Sequence, residues 1–192
     1  MVDVVLRAAT VDDAGALSAL DVDVWRASYR RILSRALLDG LPQSPFHDPQ
    51  YFLAVVDRSG MDEWLWVIEA EDALAGYCHF GACKDPGCGY LGEIARLYLR
   101  PAIQGQGIGT RILGAAAHRL VDEGLVPIRA TVFEDNRRAR RLYERLGAEY
   151  VGRQVVFEDQ GKPVWDCTYG WADPAALLAA ASGGVGKDRQ GG

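Results

Sequence analysis

Gly105, Gly107 and Gly109 alternate within LYLRPAIQGQGIGTRIL, residues 97–113, where an apolar run gives way to an amphipathic one. Glycines at such a junction let backbone approach a ligand closely. Successive N–H groups at a helix start, with no Cβ in the way, can seat a phosphate or pyrophosphate. A phosphate loop of the Gly-Lys-Ser/Thr kind is excluded, because Gly109 is followed by Thr110 and Arg111. A dinucleotide fingerprint needs G-x-G-x-x-G after the first strand of a βαβ unit, and this G-x-G-x-G lacks that spacing. The residues alone leave two readings, an anion seat to which Gln104 or Arg111 adds donors, and a tight strand-to-helix connection that binds nothing.

The elements that would position the loop follow from periodicity. Residues 4–9 read as a strand. Thr10 reads as a helix cap with Asp13 three residues on, and Ala14, Leu17, Leu20 and Val24 recur at helical spacing. Helical pieces follow at SRALLDGL, before Pro42, and at QYFLAVVDRS, after Pro49. Residues 63–70 and 73–83 flank Glu71-Asp72 as a hairpin, and KDPGCG, 84–89, is a loop. Residues 90–99 form a strand stopped by Pro101, and the run from Thr110 to Gly124 is helical. A strand at 127–133, a helix at 136–147 ended by Gly147, and a hairpin turning at Asp159-Gln160-Gly161 close the order. The mostly antiparallel middle excludes a regular doubly wound fold and predicts an α/β domain of α+β character around one mixed sheet, with helices on both faces. The domain is expected over 1–172, with a short helix and a mobile Gly-rich tail in 173–192.

The Gln104-x-x-Gly107-x-Gly109 pattern resembles the acetyl-CoA signature R/Q-x-x-G-x-G/A of the GNAT family of N-acetyltransferases. Downstream, NRRARRLYERLGAEYVG is similar to that family's N-x-x-A-x-x-L/F-Y-x-x-x-G-F run through Asn136, Ala139, Leu142, Tyr143 and Gly147, with Ala148 where an aromatic is more usual. The element order matches from about residue 3 to residue 171. The resemblance implies the acyl-CoA N-acyltransferase fold, and acetyl-CoA as co-substrate. It implies that the amides of Gly105, Gln106, Gly107, Ile108, Gly109 and Thr110 bind the pyrophosphate while Gln104 shapes the turn. The strand ending at Leu99 should splay from the strand at 127–133, so that the pantetheine arm pairs with backbone at Leu97, Tyr98 and Leu99, with Asn136 also touching the cofactor. The chemistry implied is direct attack of a primary amine on the thioester. Tyr143 is the expected proton donor to the departing thiol, its alternative being a helix aromatic packed on the sheet. Glu93, eleven residues before Gln104, is the expected general base, its alternative a carboxylate paired with Arg96. Glu134 stands second as base, and His118 and His79 are outsiders.

Acceptor choice falls to the early helices, the loop near 84–90 and the closing hairpin, where Trp25, Tyr29, Asp85, Tyr90 and Trp165 are candidates. Aromatics and acids suit a cationic amine, but Trp25 and Tyr29 also fit the core face of an amphipathic helix. The acceptor is a small molecule or a peptide, and the assembly is open between monomer and homodimer. A competing class is a non-catalytic acyl-CoA-binding or regulatory module on the same fold.

Composition sets the outer limits. The chain has 192 residues, 49% hydrophobic, enough for one core. A net charge of -5 and a pI near 5.2 argue against a nucleic-acid partner. No apolar run is long enough to span a membrane, and the first residues lack a signal-peptide pattern, so a cytoplasmic location is expected. Cys78, Cys83, Cys88 and Cys167 fit none of the usual zinc spacings. Cys78 and His79 would face opposite sides of a strand, so no metal is expected. A Cys83–Cys88 crosslink is disfavoured in a reducing compartment.

Overall fold

The computed structural model describes residues 3–85 and 87–182, with the tail from 183 outside them. Seven strands form one sheet in the order β1-β2-β3-β4-β5-β7-β6, comprising β1 (Val4–Ala8), β2 (Glu63–Ala70), β3 (Ala73–Ala82), β4 (Gly92–Leu99), β5 (Ile128–Phe133), β6 (Glu149–Asp159) and β7 (Lys162–Trp171). Every neighbouring pair is antiparallel except β4–β5. The mixed sheet with helices on both faces is the expected architecture.

The strand alternation sorts two cores. On one face, Cys78, Phe80, Ile94, Ile128, Ala130, Val132, Cys167, Tyr169 and Trp171 are buried beneath α4 (Ile108–Asp122), α5 (Arg137–Arg145) and α6 (Ala175–Ser182). On the other, Leu65, Val67 and Tyr77 meet α1 (Ala14–Tyr29) and α3 (Pro49–Arg58), and Phe133 and Val164 meet Val22, Tyr29 and Leu38 of α1 and α2 (Arg35–Gly40). Leu177 of α6 is fully buried, so that helix closes the core rather than trailing from it.

Local signals explain the boundaries. The Asp13 carboxylate accepts the Thr10 amide at 2.7 Å, as the capping pattern predicts, but the first turn is a 3-10 turn before α1 begins at Ala14. Asp48 accepts the Gln50 amide at 2.7 Å and Pro49 opens α3. Helix α4 starts at Ile108, two residues earlier than the run from Thr110 predicts, because Gly107 at φ 79° turns the chain directly into it.

The feature that positions the site is a wedge. β4 pairs with β5 only at Gly92, Glu93 and Ile94. Beyond that, β4 stays paired with β3 as far as Leu99, while β5 stays paired with β7 as far as Phe133. The register shift between His79 and Phe80 leaves Ala95 as an extra residue on β4, and such a bulge bends and twists its strand. Ala95–Leu99 therefore presents its β5-side edge with no ladder partner.

Candidate active site

The glycine loop stands at the open end of the wedge. Gly105 and Gly107 have φ of 81° and 79°, a region disfavoured for other residues. A Cβ added at Gly107 would meet nothing within 4 Å, and one at Gly105 would meet only the Arg138 guanidinium at 3.7 Å. The space ahead of the loop is thus open. The first bond of α4 runs from the Arg111 amide to the Gly107 carbonyl at 3.1 Å, so the N–H groups of Ile108, Gly109 and Thr110 have no intrahelical acceptor. Gln104 fixes the loop by donating to the Leu99 carbonyl at 2.7 Å while its own oxygen accepts from Arg138 at 2.6 Å. An arginine, a helix dipole and free amides converge on one open cradle, which fits a pyrophosphate. Leu97 and Leu99 pack towards α4, and Gly109 sits beside them.

Tyr143 on α5 reaches the wedge from the same face. It is only 7% exposed, its ring 5.9 Å from Tyr169 and 5.6 Å from Trp171. Its hydroxyl makes no hydrogen bond among the described residues. Burial raises its pKa well above the usual tyrosine value, and nearby Tyr29, Cys78 and Asp166 raise it further. The phenol therefore keeps its proton through the neutral range, as a donor must. Asn136 caps α5, its side chain accepting the Ala139 amide at 3.2 Å at the mouth of the wedge.

Glu93 lies at the closed end. It is in register with Arg129, and the two side chains pair at 3.2 Å. Arg129 also holds Asp85 at 2.9 Å, so the partner is Arg129 and not Arg96. Arg96 instead approaches buried Asp21 at 3.5 Å, donates to the Phe46 carbonyl at 3.2 Å and lies over the Tyr51 ring at 4.3 Å. Asp21 also accepts from the Tyr77 hydroxyl and pairs with His47, each at 2.6 Å. Glu134 pairs with Arg153 at 2.6 Å. His79 is buried against Glu63 at 2.6 Å, and burial lowers its pKa despite that carboxylate. His118 is exposed.

The acceptor-side candidates divide. Trp25 and Tyr29 of α1 join Tyr98 and Phe133 of the sheet in one aromatic cluster. Trp25 is 4.9 Å from Tyr29 and 5.7 Å from Phe133, and the Tyr29 and Tyr98 hydroxyls are 3.1 Å apart. Burial is the main cause that pushes Tyr29 up to about 12. Asp85 and Tyr90 sit instead at the closed end, Tyr90 lying over Gly170. Trp165 lies under Arg153 at 4.4 Å and lines, with Phe133, Glu134, Asp159, Lys162 and Val164, a cavity of about 160 Å³ at the open end. Ser34 donates its amide and hydroxyl to Asp159 at 2.5 and 2.6 Å, strapping the α1–α2 loop to the β6–β7 hairpin over this cavity. Sequence reading missed His47, Phe133 and Asp166. For Asp166 a signal existed, an acid within the otherwise mostly apolar run VWDCTYGW.

Among the described residues no cluster of His, Cys, Asp or Glu could hold a metal ion. Cys83 and Cys88 are free thiols with sulfurs 3.3 Å apart. No helix among the described residues is long and apolar enough to cross a membrane.

Comparison with known proteins finds a matching family and solved structures of the same fold. The model of the acetyltransferase (GNAT) family matches residues 26–148. The chain is 27% identical to the uncharacterized N-acetyltransferase YuaI of Bacillus subtilis, over 91% of this chain and 96% of that one. Its fold is shared with the PaiA N-acetyltransferase of Thermoplasma acidophilum, solved in complex with coenzyme A, at a TM-score of 0.66 and 19% identity over 85% of this chain and 98% of that one. It is shared also with yncA of Salmonella typhimurium, solved with its cofactor acetyl-CoA, at a TM-score of 0.63 and 21% identity over 89% and 95%. The chain belongs to the acetyltransferase (GNAT) family and is an N-acetyltransferase.

Proposed function

We propose that the protein transfers the acetyl group of acetyl-CoA to a primary amine by direct attack, with Tyr143 as proton donor and Glu93 as proton acceptor. The observation that carries the reading is the cradle of Gly105, Gly107 and the α4 amides opening onto the unpaired edge of β4. Gln104 to Thr110 hold the diphosphate, Asn136 borders it, and the backbone of Leu97, Tyr98 and Leu99 holds the arm that leads inward. When bound, the thioester supplies the electrophile. A β4 amide on the unpaired edge donates to the oxygen that gains charge during attack.

The residues divide the proton work. Tyr143, kept protonated by burial, has an unengaged hydroxyl to give to the departing sulfur. Glu93 shares a sheet face with Arg96 and Tyr98, and Arg129 holds its carboxylate in a fixed direction. It takes the proton of the amine, directly or through water. The free thiols fit a reducing, cytoplasmic location, which is part of this proposal.

The test is thiol release from acetyl-CoA with a panel of primary amines, with mass detection of the acetylated product. Amine-dependent release supports the reading. Tight acetyl-CoA binding with no release for any amine would favour a binding module instead.

A further inference from the structure

One carboxyl near the wedge has no cation. Asp166 on β7 is in register with Phe133 of β5 and Gln154 of β6. Alternation places it on the face of Val164, opposite Cys167, Tyr169 and Trp171. It therefore stands beside Phe133, whose ring is 4.9 Å from Tyr29 and 5.9 Å from Phe157. Among the described residues it has no hydrogen bond and no ion pair. Burial alone pushes its pKa up to about 6. Trp25 adds a second unsatisfied group to the same cluster, since its indole N–H is buried without an acceptor.

The neighbouring arginines are committed elsewhere. Arg153 is held by Glu134 and Trp165, Arg140 by Tyr169 and the Glu134 carbonyl, and Arg96 by Asp21 and Phe46. Lys162 lies at the rim of the cavity, which also carries Glu134, Asp135 and Asp159. The titratable groups that feel Asp166 are Tyr29 from α1, Tyr143 from α5 and Cys167 from its own strand, each with its pKa raised. A carboxylate taken out of water without a cation is costly. Aromatic walls around it suit an ammonium. With Glu134 paired to Arg153, Asp135 and Asp159 still outweigh Lys162 at the rim, which disfavours a second carboxylate.

We infer that Asp166 receives the ammonium of the acceptor, whose proton passes through water to Glu93 before the nitrogen attacks, and that the acceptor is a cationic primary amine on an alkyl or aryl arm with no carboxylate beside the nitrogen. This rests on the acetyl-transfer reading and goes beyond it by fixing the substrate class and the residue that selects it.

Steady-state acetylation of phenethylamine, 1,5-diaminopentane and phenylalanine, by the wild-type protein and Asp166→Asn, tests the inference. Phenethylamine and phenylalanine share an arm and differ by the carboxylate. The wild-type protein should prefer the two carboxylate-free amines. Asp166→Asn should raise their KM by about tenfold or more, the usual result of removing one member of a desolvated charge pair. The KM for acetyl-CoA should stay within about twofold. In the wild type, the KM for phenethylamine should climb as pH falls through about 6, and in the variant it should not. Saturation-transfer NMR of phenethylamine with the protein–coenzyme A complex reads the same contact without turnover, and its signal should weaken in Asp166→Asn. Asp166→Glu, which keeps the charge, should recover part of the affinity. Equal KM and equal NMR signal in wild type and Asp166→Asn, or preference for phenylalanine, would overturn the inference while leaving acetyl transfer intact. Acetyl-CoA binding with no amine acetylated would instead refute the acetyl-transfer reading and this inference with it.

Discussion

Tyr143→Phe isolates one hydroxyl. The ring keeps its edge contacts with Tyr169 and Trp171 at 5.9 and 5.6 Å, and the lost oxygen bonds to no group among the described residues. Stability should therefore change by less than about 1 kcal/mol, because no intramolecular hydrogen bond is removed. Tyr143→Ala would instead empty a buried aromatic site and cost about 3–5 kcal/mol. If the hydroxyl protonates the departing sulfur, kcat should fall roughly 10²-fold, a typical general-acid contribution. The pH dependence has a definite sign. Burial raises the phenol pKa, so the acid form persists to higher pH than in a free tyrosine. The wild-type kcat profile should then show no descending limb from this group up to about pH 10, the ordinary tyrosine value. The assay is single-turnover thiol release at saturating amine, with coenzyme A affinity from calorimetry and stability from urea unfolding. A fall of kcat below about threefold, with the chemical step limiting, would make Tyr143 a packing residue and leave protonation of the thiol to water.

Gly107→Val forces a β-branched residue to φ 79° and points its side chain into the open cradle, so coenzyme A affinity should fall by at least about tenfold in a protein that still folds. Unchanged calorimetric binding would disprove the cradle. Glu93→Gln should lower kcat/KM roughly 10²-fold near neutral pH, with the loss shrinking as more amine is already deprotonated. An unaltered pH–rate profile would reduce Glu93 to the ion-pair partner of Arg129. Asp166→Asn should stabilise the fold at pH 8. A carboxyl whose folded pKa is raised from 3.8 to about 6 binds its proton more tightly when folded, so it opposes folding above that window. The gain should be about 1–2 kcal/mol once partial exposure is allowed for, and should vanish by about pH 4. Urea titrations at the two pH values measure it, and a gain independent of pH would contradict the burial of a bare charge.

What was legible in the sequence was local. The runs EWLWVIEA and ALAGYCHFGAC on either side of Glu71-Asp72 gave the hairpin, Pro49 marked a helix start, and the Gln104-x-x-Gly107-x-Gly109 spacing located the loop. Helix starts slipped where glycine acts in two ways. Gly107 and Gly109 read as loop residues, yet Gly109 lies inside α4 because a first turn tolerates it. The surroundings of Asp166 and Glu93 were not legible, because they depend on which strands become neighbours. Asp166 meets Phe133 only because β7 inserts beside β5, and Arg129 captures Glu93 only through the short parallel pairing of β4 and β5. Tyr98 was read for its backbone, but its side chain joins Tyr29 across 69 residues of sequence. His47 gives no local pattern at all and gains its place through Asp21, 26 residues away.

The most direct test of acetyl transfer is a single measurement of coenzyme A thiol release from acetyl-CoA, with and without a mixed panel of primary amines, in the wild-type protein and Gly107→Val at sub-saturating acetyl-CoA. Release that depends on the amine, matches the acetylated product mole for mole, and falls by at least about tenfold in the variant is the predicted result. Release that ignores the amine, or that Gly107→Val leaves unchanged, would contradict it.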